Sequence, residues 1–338
     1  MAAFRSLSAD DVDAILRAFG APAYRAHRAI AVGTINTNLR VETADGPRFL
    51  RVNEGKAEED VAREAAIVAH AAARGVPTPA PARAPGGLPY VRFSDAVVSL
   101  FPWLPGRTLA RAEVAAAHAR QVGAALARLH LAGEEFADRR PGRYEPPEID
   151  RRLALVTAAA ATRPELQAAV ATLAPELAAL RRERHADLPL GLIHGDLFID
   201  NVLFDAAGSD GAISETETGT GALVALLDFE QASWGRFAYD LAVTLLAFAF
   251  GRDDFRPEIV RALFEGYAGV RAPGAAERAA LGPELRFAAC RFAVTRITDV
   301  HLRRGEGAAP GKNFARYLDR LAQVKRHLAA GDGLLAIP

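Results

Sequence analysis

The run His194-Gly195-Asp196-Leu197-Phe198-Ile199-Asp200-Asn201, followed by an apolar stretch from Leu223 to Leu227 that closes on Asp228-Phe229-Glu230, constrains this chain more than any other feature. It requires an aspartate, an asparagine five residues later and a second aspartate to be delivered at turns and strand ends. An acid at the end of a buried strand is costly without a partner. The fold must therefore provide Asp228 with one.

The rest of the composition narrows the class. At 338 residues and 50% hydrophobic the chain is long enough for a well-buried core and longer than one ordinary domain, so two lobes are expected. Its 41 basic and 41 acidic residues balance, which favours neither nucleic acid nor an anionic membrane as partner and suits a small-molecule substrate. Nothing in the sequence sets the oligomeric state. A single cysteine, Cys290, excludes an internal disulfide framework and fits a reducing, cytoplasmic location. The N-terminal MAAFRSLSADDVDAIL lacks the continuous apolar core of an export signal. The apolar run 241–250 falls far short of the roughly 20 residues a bilayer requires, so it predicts a buried helix.

Local signals divide the chain. Ser8 with Asp11 resembles a capping box and opens a helix to about Phe19, stopped by Gly20. Strand-like segments follow at 24–32, 39–42 and 48–53, with Asp45-Gly46 as a hairpin signal. A helix over 56–74 ends at Gly75 before Pro77 and Pro79, and 90–92 and 96–101 complete a small antiparallel sheet. From Arg111 onward apolar spacings of three and four predict helices at 114–131, two between 149 and 184, and others at 239–250, 257–267, 283–301 and 314–328. Short strands at 191–193, 202–204 and 223–227 carry the opening motif. Residues 206–222, rich in Gly, Ser, Thr and acids, predict a mobile hairpin insertion. The expected class is α+β, with an N-terminal lobe over 1–101 and a mainly helical C-terminal lobe over 102–338.

The motif carries the parts of phosphoryl transfer in kinase order. Asp196 is the candidate catalytic carboxylate, positioning a hydroxyl and accepting its proton late. The competing reading is a turn aspartate bonding its own backbone. Asn201 and Asp228 are candidate Mg2+ ligands beside the phosphates of ATP. His194 fits loop support better than proton transfer, and His130, near the end of its helix, reads as structural. A hydrolase-type metal site at His194, Asp196 and Asp228 would lack a second histidine at ligand spacing. Asp240 either interacts with the dipole of the helix it opens or fastens the catalytic loop by accepting backbone N–H bonds.

In the N-terminal lobe the turn 33–38 offers Asn36, Thr37 and Asn38 to ATP phosphates, although it lacks a full glycine-rich fingerprint. Arg51 stands where kinases have a phosphate-binding lysine, with Glu64 as its partner; an ordinary surface ion pair is the alternative. Arg291, Arg296 and Asp299 share one predicted helix. They form either a solvated charged face or the guanidinium and acid that an amino-acid substrate requires.

Together Asn36-Thr37-Asn38-Leu39-Arg40-Val41, Leu126 through Gly133, His194 through Phe204, Asp228-Phe229, Tyr239 through Ala242 and Arg291 through Arg296 resemble the choline-kinase and aminoglycoside-phosphotransferase superfamily, and most nearly its homoserine kinase branch. The resemblance covers about 35–328. It implies a two-lobed protein-kinase-like fold with ATP in the cleft and the linker 99–102, including Ser99 and Phe101, against adenine. The reaction it implies is transfer of the ATP γ-phosphate to the hydroxyl of L-homoserine, on the route to threonine. Another small alcohol, an amino sugar or an aminoglycoside is the alternative acceptor. A nucleotide-binding protein without turnover is the alternative class, left open by arginine in place of lysine at 51. The stretch 230–235 reads like the wider superfamily, and the 206–222 insertion departs from it.

Overall fold

The computed structural model of the protein describes residues 5–30, 36–184, 187–205, 221–304 and 313–337. The chain divides into two compact units: Met1–Arg107 with Val224–Glu230, and Thr108–Leu223 with Gln231–Pro338. A linear division at 101/102 does not contain the return of 224–230 to the first unit. Most of the 206–222 insertion, and residues 33–35 of the predicted phosphate turn, lie outside the described residues.

The first unit is built on an antiparallel sheet, order β1-β2-β3-β5-β4, from β1 (Tyr24–Ala29), β2 (Thr37–Thr43), β3 (Gly46–Asn53), β4 (Val91–Phe93) and β5 (Ala96–Pro102). Strict alternation along β2 puts Leu39 and Val41 on the core face with Leu50, Val52, Val98 and Leu100. Helix α1 (Ala9–Ala18) covers that face through Val12, Ile15 and Leu16. Its start is fixed by the reciprocal cap read from the sequence: the Asp11 N–H donates to Ser8 Oγ at 3.2 Å and the Ser8 N–H to Asp11 Oδ2 at 2.8 Å. Helix α2 (Glu58–Ala73) places Val61 with Tyr90 and Val97 in a separate small cluster. Each core aliphatic contributes about 1.5–3 kcal/mol by burial, so alternation alone is sufficient to choose the register.

The second unit is mainly helical. Helices α3 (Ala116–Gly133), α4 (Pro146–Ala160) and α5 (Gln167–Glu183) precede β6 (Leu190–Ile193) and β7 (Val202–Phe204). After β8 (Leu223–Leu226) and β9 (Ser233–Arg236) come α6 (Phe237–Phe248), α7 (Pro257–Ala268), α8 (Ala275–Arg296), the short α9 (Leu302–Arg304) and α10 (Ala315–Ala330). Strands β6 and β9 pair antiparallel, with Ile193 opposite Ser233. Helix α6 is buried on nearly every side, as its unbroken apolar run predicted. Helices α3 and α7 meet at a pair of glycines: a Cβ on Gly123 would lie 2.1 Å from the Leu263 carbonyl oxygen, and one on Gly266 2.0 Å from that of Arg120. Only glycine permits this approach.

Two expectations are corrected. The predicted helix at 283–301 begins eight residues earlier, because the Glu277 carboxylate caps the Gly274 N–H at 3.0 Å and buried Leu281 and Leu285 outweigh the missing donor of Pro283. It also ends earlier, since Ile297–His301 widens into a π-helical turn.

A titratable tether closes the C-terminal end. On α10, His327 bonds Asp254 at 2.9 Å and Asp332 at 2.5 Å. Burial pulls the imidazolium pKa down, but the bonds to Asp332 and Asp254 outweigh it and the net direction is up. Both carboxylates are held below the usual range; burial opposes this at Asp254, while the His327 bond leads at Asp332. The histidine's contribution is complete below the ordinary imidazole pKa of about 6.5 and is lost as pH rises through its raised value. The carboxylate contributions are present above about 3.9 and disappear as pH falls. The melting temperature of His327→Asn should therefore fall furthest below the parent near pH 5.5, with the gap narrowing toward pH 9; a gap independent of pH would dissociate the tether from ionisation.

Candidate active site

In the first unit the strand register lines up three of the expected residues. Asn38 on β2 is opposite Arg51 on β3, and Arg51 is opposite Ser99 on β5, so all three share the face turned away from the α1 core. Phe101, two residues beyond Ser99, lies on the same face. A hollow there is lined by Arg51, Asn53, Glu64, Ser99 and Phe101. The Asn53 amide donates to Ser99 Oγ at 3.0 Å and to the Val97 carbonyl at 3.1 Å, bracing β3 against β5.

Arg51 Nη1 is 3.1 Å from Glu64 Oε1 on α2, the pair expected from the sequence. Both side chains are largely buried, at 15% exposure each, which is not an ordinary surface contact. Lys56, which sequence reasoning missed, joins them: its ammonium lies 3.1 Å from Glu64 Oε2 and 3.1 Å from Glu230 Oε2. Burial lowers the Lys56 pKa, but attraction to Glu64 and Glu230 raises it more. The available signal was a lysine just ahead of an acid-rich helix start. Two residues before Glu230, Asp228 adopts φ +62°, an αL conformation that aspartate tolerates better than most side chains and that aims it off the strand direction.

Thr37 belongs on the other face. Its hydroxyl accepts the Arg5 N–H at 2.9 Å and donates to Glu54 at 2.9 Å, so the side chain is a structural tie and not a phosphate-facing donor. Asn36 is half-buried immediately before β2.

In the second unit the loop after β6 is held by Asp240. Fully buried in the first turn of α6, its carboxylate accepts the His194 N–H on Oδ2 and the Gly195 N–H on Oδ1, both at 2.7 Å, and His130 Nε2–H on Oδ2 at 3.0 Å. This is the fastening role anticipated for Asp240. Burial pushes its pKa up, but the His130 and backbone bonds dominate and the carboxyl stays below its usual range. Burial drives the His130 pKa down. The pair is thus a neutral imidazole donating to a carboxylate. The other ring nitrogen, Nδ1, accepts from the Tyr267 hydroxyl at 2.6 Å, and His130 stacks on Phe237 at 4.4 Å. His130 is thus engaged on both ring nitrogens by buried side chains, which fits the structural reading.

Gly195 needs to be glycine twice over. Its φ is +73°, and a Cβ would meet the Gln231 carbonyl oxygen at 2.9 Å. The loop then turns through a 3-10 segment, Ile199–Asn201. The Asn201 amide nitrogen donates to the Asp196 carbonyl at 2.9 Å, which fixes the amide and leaves Oδ1 as its acceptor. Asp196 retains 33% side-chain exposure, and Arg291 Nη1 stands 3.5 Å from its Oδ1.

The late helix is not a solvated face. Arg291 is 3% exposed, with its guanidinium over Tyr144 at 4.2 Å and Phe292 at 3.8 Å. Asp299 is engaged by Arg152 Nη1 at 2.6 Å, so it ties the segment to α4 instead of standing open for an ammonium group. Arg296 turns its guanidinium over Tyr317 at 4.4 Å. The π-helical turn breaks the single face on which Asp299 and the arginines were placed. Among the described residues no group of three or more His, Cys, Asp or Glu could hold a metal ion. A Mg2+ site here has to rely on few protein ligands beside phosphate oxygens.

Residues 26–281 match the profile of the phosphotransferase enzyme family. Curated relatives include the homoserine kinase of Rhodospirillum rubrum, 35% identical over 305 residues and covering 88% of each chain. That of Acidiphilium cryptum is also 35% identical, over 302 residues, covering 88% of this chain and 89% of the relative. Among solved structures, a spectinomycin phosphotransferase in complex with ADP and spectinomycin has a TM-score of 0.64 at 13% identity, over 95% of this chain and 98% of that one. An aminoglycoside phosphotransferase from Alicyclobacillus acidocaldarius has a TM-score of 0.61 at 17% identity, over 91% and 92%. The fold is the α+β, protein-kinase-like one of these structures.

Removing the Asp240 carboxylate leaves two backbone donors and a histidine buried without their acceptor. Asp240→Ala should cost about 3–5 kcal/mol in urea unfolding and abolish activity even where the protein remains folded. A loss below about 1 kcal/mol, the scale of one ordinary hydrogen bond, would show that the loop is held by other contacts.

Proposed function

Because the chain belongs to the phosphotransferase enzyme family, we propose that it transfers the γ-phosphate of ATP to the side-chain hydroxyl of L-homoserine. The observation that carries this reading is Asp196: a partly exposed carboxylate on a backbone anchored by buried Asp240, with the Arg291 guanidinium beside it. In the reaction the acceptor oxygen bonds to the γ-phosphorus as the bond to the β–γ bridging oxygen breaks, and ADP departs. The hydroxyl proton passes to Asp196 late in the transfer. A weakly basic carboxylate is sufficient, since the transition state is largely dissociative, so Arg291 beside Asp196 is compatible with that role.

Asn201 Oδ1 and the Asp228 carboxylate are assigned to Mg2+. The hydrogen bond that the Asn201 amide nitrogen donates to the Asp196 backbone carbonyl supports this, because it leaves the amide oxygen and not the nitrogen for a ligand. When bound, the ion would neutralise charge on the phosphate oxygens. Arg51, braced by Glu64, is assigned to the phosphates together with Asn36 and Asn38, and Ser99 and Phe101 to the adenosine. No helix among the described residues is long and apolar enough to cross a membrane. A cytoplasmic location is part of the same proposal.

An ATP-consumption screen with homoserine, choline, ethanolamine, methylthioribose and aminoglycosides tests the acceptor, and homoserine should give the highest kcat/KM. Preference for any other member would transfer the function to it. Asp196→Asn should lower kcat about 10²–10⁴-fold while ATP binding persists; retained turnover would release Asp196 from its role. For Asn201→Ala and Asp228→Ala, magnesium titrations should show half-maximal activity moved to higher Mg2+ as well as a lower maximum. Curves that keep the parent midpoint would remove both from the metal.

A further inference from the structure

Five arginines of the second unit, Arg111, Arg256, Arg296, Arg316 and Arg320, lie close enough to act on one another or on Tyr317, and none of them makes a salt bridge to a carboxylate among the described residues. Two have evident work. Arg111 donates to the carbonyls of Ala247 at 2.8 Å and Phe250 at 2.7 Å, and Arg256 to those of Phe248 at 3.0 Å and Val114 at 2.9 Å. They satisfy carbonyls at the end of α6.

Arg296 and Arg320 are different. Arg320 is 5% exposed, its guanidinium lies 4.5 Å from the Tyr317 ring centre, and its Nε meets no hydrogen-bond partner. Arg296 lies over the same ring at 4.4 Å, and among the described residues it makes one hydrogen bond, a long 3.4 Å contact to the Asn313 carbonyl. Burial is the largest effect on both and lowers the pKa; Tyr317 pulls each back up, neighbouring arginines lower it further, and at Arg296 the Asp196 carboxylate adds a weaker upward pull without contact at salt-bridge distance. Buried cations without a counter-ion are unfavourable. Elsewhere in this unit the fold supplies one: Arg184 and Arg236 share Glu284, and Arg271 has Glu277. The pair is also connected to the catalytic loop through aromatic contacts. Tyr317 stacks on Phe292 at 5.0 Å, and Phe292 meets the edge of Phe198, two residues from Asp196, at 5.1 Å.

We propose that Arg296 and Arg320, braced on the Tyr317 ring, form the receptor for the carboxylate of the phosphate acceptor. This deepens the homoserine reading and rests on it. Arg291 is excluded from that task because its guanidinium is already beside Asp196. An acceptor with a free carboxylate supplies the missing counter-ion, whereas a cationic alcohol or amino sugar is repelled by the same charges.

Steady-state kinetics with L-homoserine and with L-homoserine amide, which keeps the amine and hydroxyl but not the carboxylate, test the assignment. The parent should prefer the acid by about 30-fold or more in kcat/KM, the lower end of what a desolvated charge pair confers. Arg320→Gln and Arg296→Gln should each raise the homoserine KM by a similar factor, with the ATP KM and the amide kinetics nearly unchanged, so that the preference collapses. Arg320→Lys should recover part of it. Thermal melting separates this from misfolding, and Arg296, at the more exposed of the two positions, gives the variant that should perturb packing less. Equal losses for both acceptors, an unchanged homoserine KM in a folded Arg296→Gln, or a parent that uses the amide as well as the acid would overturn the assignment while leaving the homoserine reading intact. A parent inert toward homoserine would overturn the reading itself, and the assignment with it.

Discussion

One buried carboxylate holds the loop that follows β6. Asp240 accepts the N–H groups of His194 and Gly195 and the Nε2–H of His130, and with three donors it remains ionised in an interior that would otherwise neutralise it. Other features of the second unit converge on the same point. Gly195 is required because the N–H must turn toward Asp240 at φ +73°. The Gly123 and Gly266 contacts bring α3 against α7, which places the Tyr267 hydroxyl on His130 Nδ1. Arg271 then bonds Tyr267 at 3.2 Å and Glu277 at the start of α8, so loop geometry and helix packing share one polar network.

The two units handle charge in opposite ways. In the first, Arg51 and Lys56 are matched by Glu64 and Glu230, which fixes the side chains on the polar face of the sheet and lowers the cost of their partial burial. In the second, Arg184, Arg236, Arg271 and Arg286 also have acids and Arg111 and Arg256 bond backbone carbonyls, whereas Arg296 and Arg320 meet no carboxylate at salt-bridge distance among the described residues. With neither an acid nor a pair of backbone carbonyls among the described residues, Arg296 and Arg320 are the informative ones. A phosphotransferase acting on a zwitterionic acceptor needs cations held in reserve until that acceptor arrives.

Several parts of this arrangement were legible before any coordinates. The Ser8 and Asp11 cap, the antiparallel strands, the unbroken apolar helix after Tyr239 and the partnership of Arg51 with Glu64 all follow from local or short-period patterns. For Asp240 the sequence left two readings, an interaction with the dipole of its helix and the fastening of the loop through backbone N–H bonds, and the hydrogen bonds to His194 and Gly195 are those of the second. The face of Thr37, the engagement of Asp299 by Arg152 and the start of α8 ahead of Pro283 were not. Each depends on a partner distant in sequence, and local periodicity carries no record of such a partner. Lys56 and Arg320 were missed for the same reason, since a lone cation in a helical pattern looks solvated until burial is known.

The sequence by itself determined the class of chemistry and most secondary elements, because residue spacing along one turn or strand is a local property that side-chain chemistry makes explicit. Only the tertiary structure decided which charged groups are already spent. Whether a guanidinium ends beside a carboxylate, over an aromatic ring or against a helix terminus depends on how elements more than a hundred residues apart pack, as Arg152 with Asp299 shows. Burial then makes the difference consequential, because a charge that water would satisfy on the surface must find its counter-ion within the fold or in the substrate.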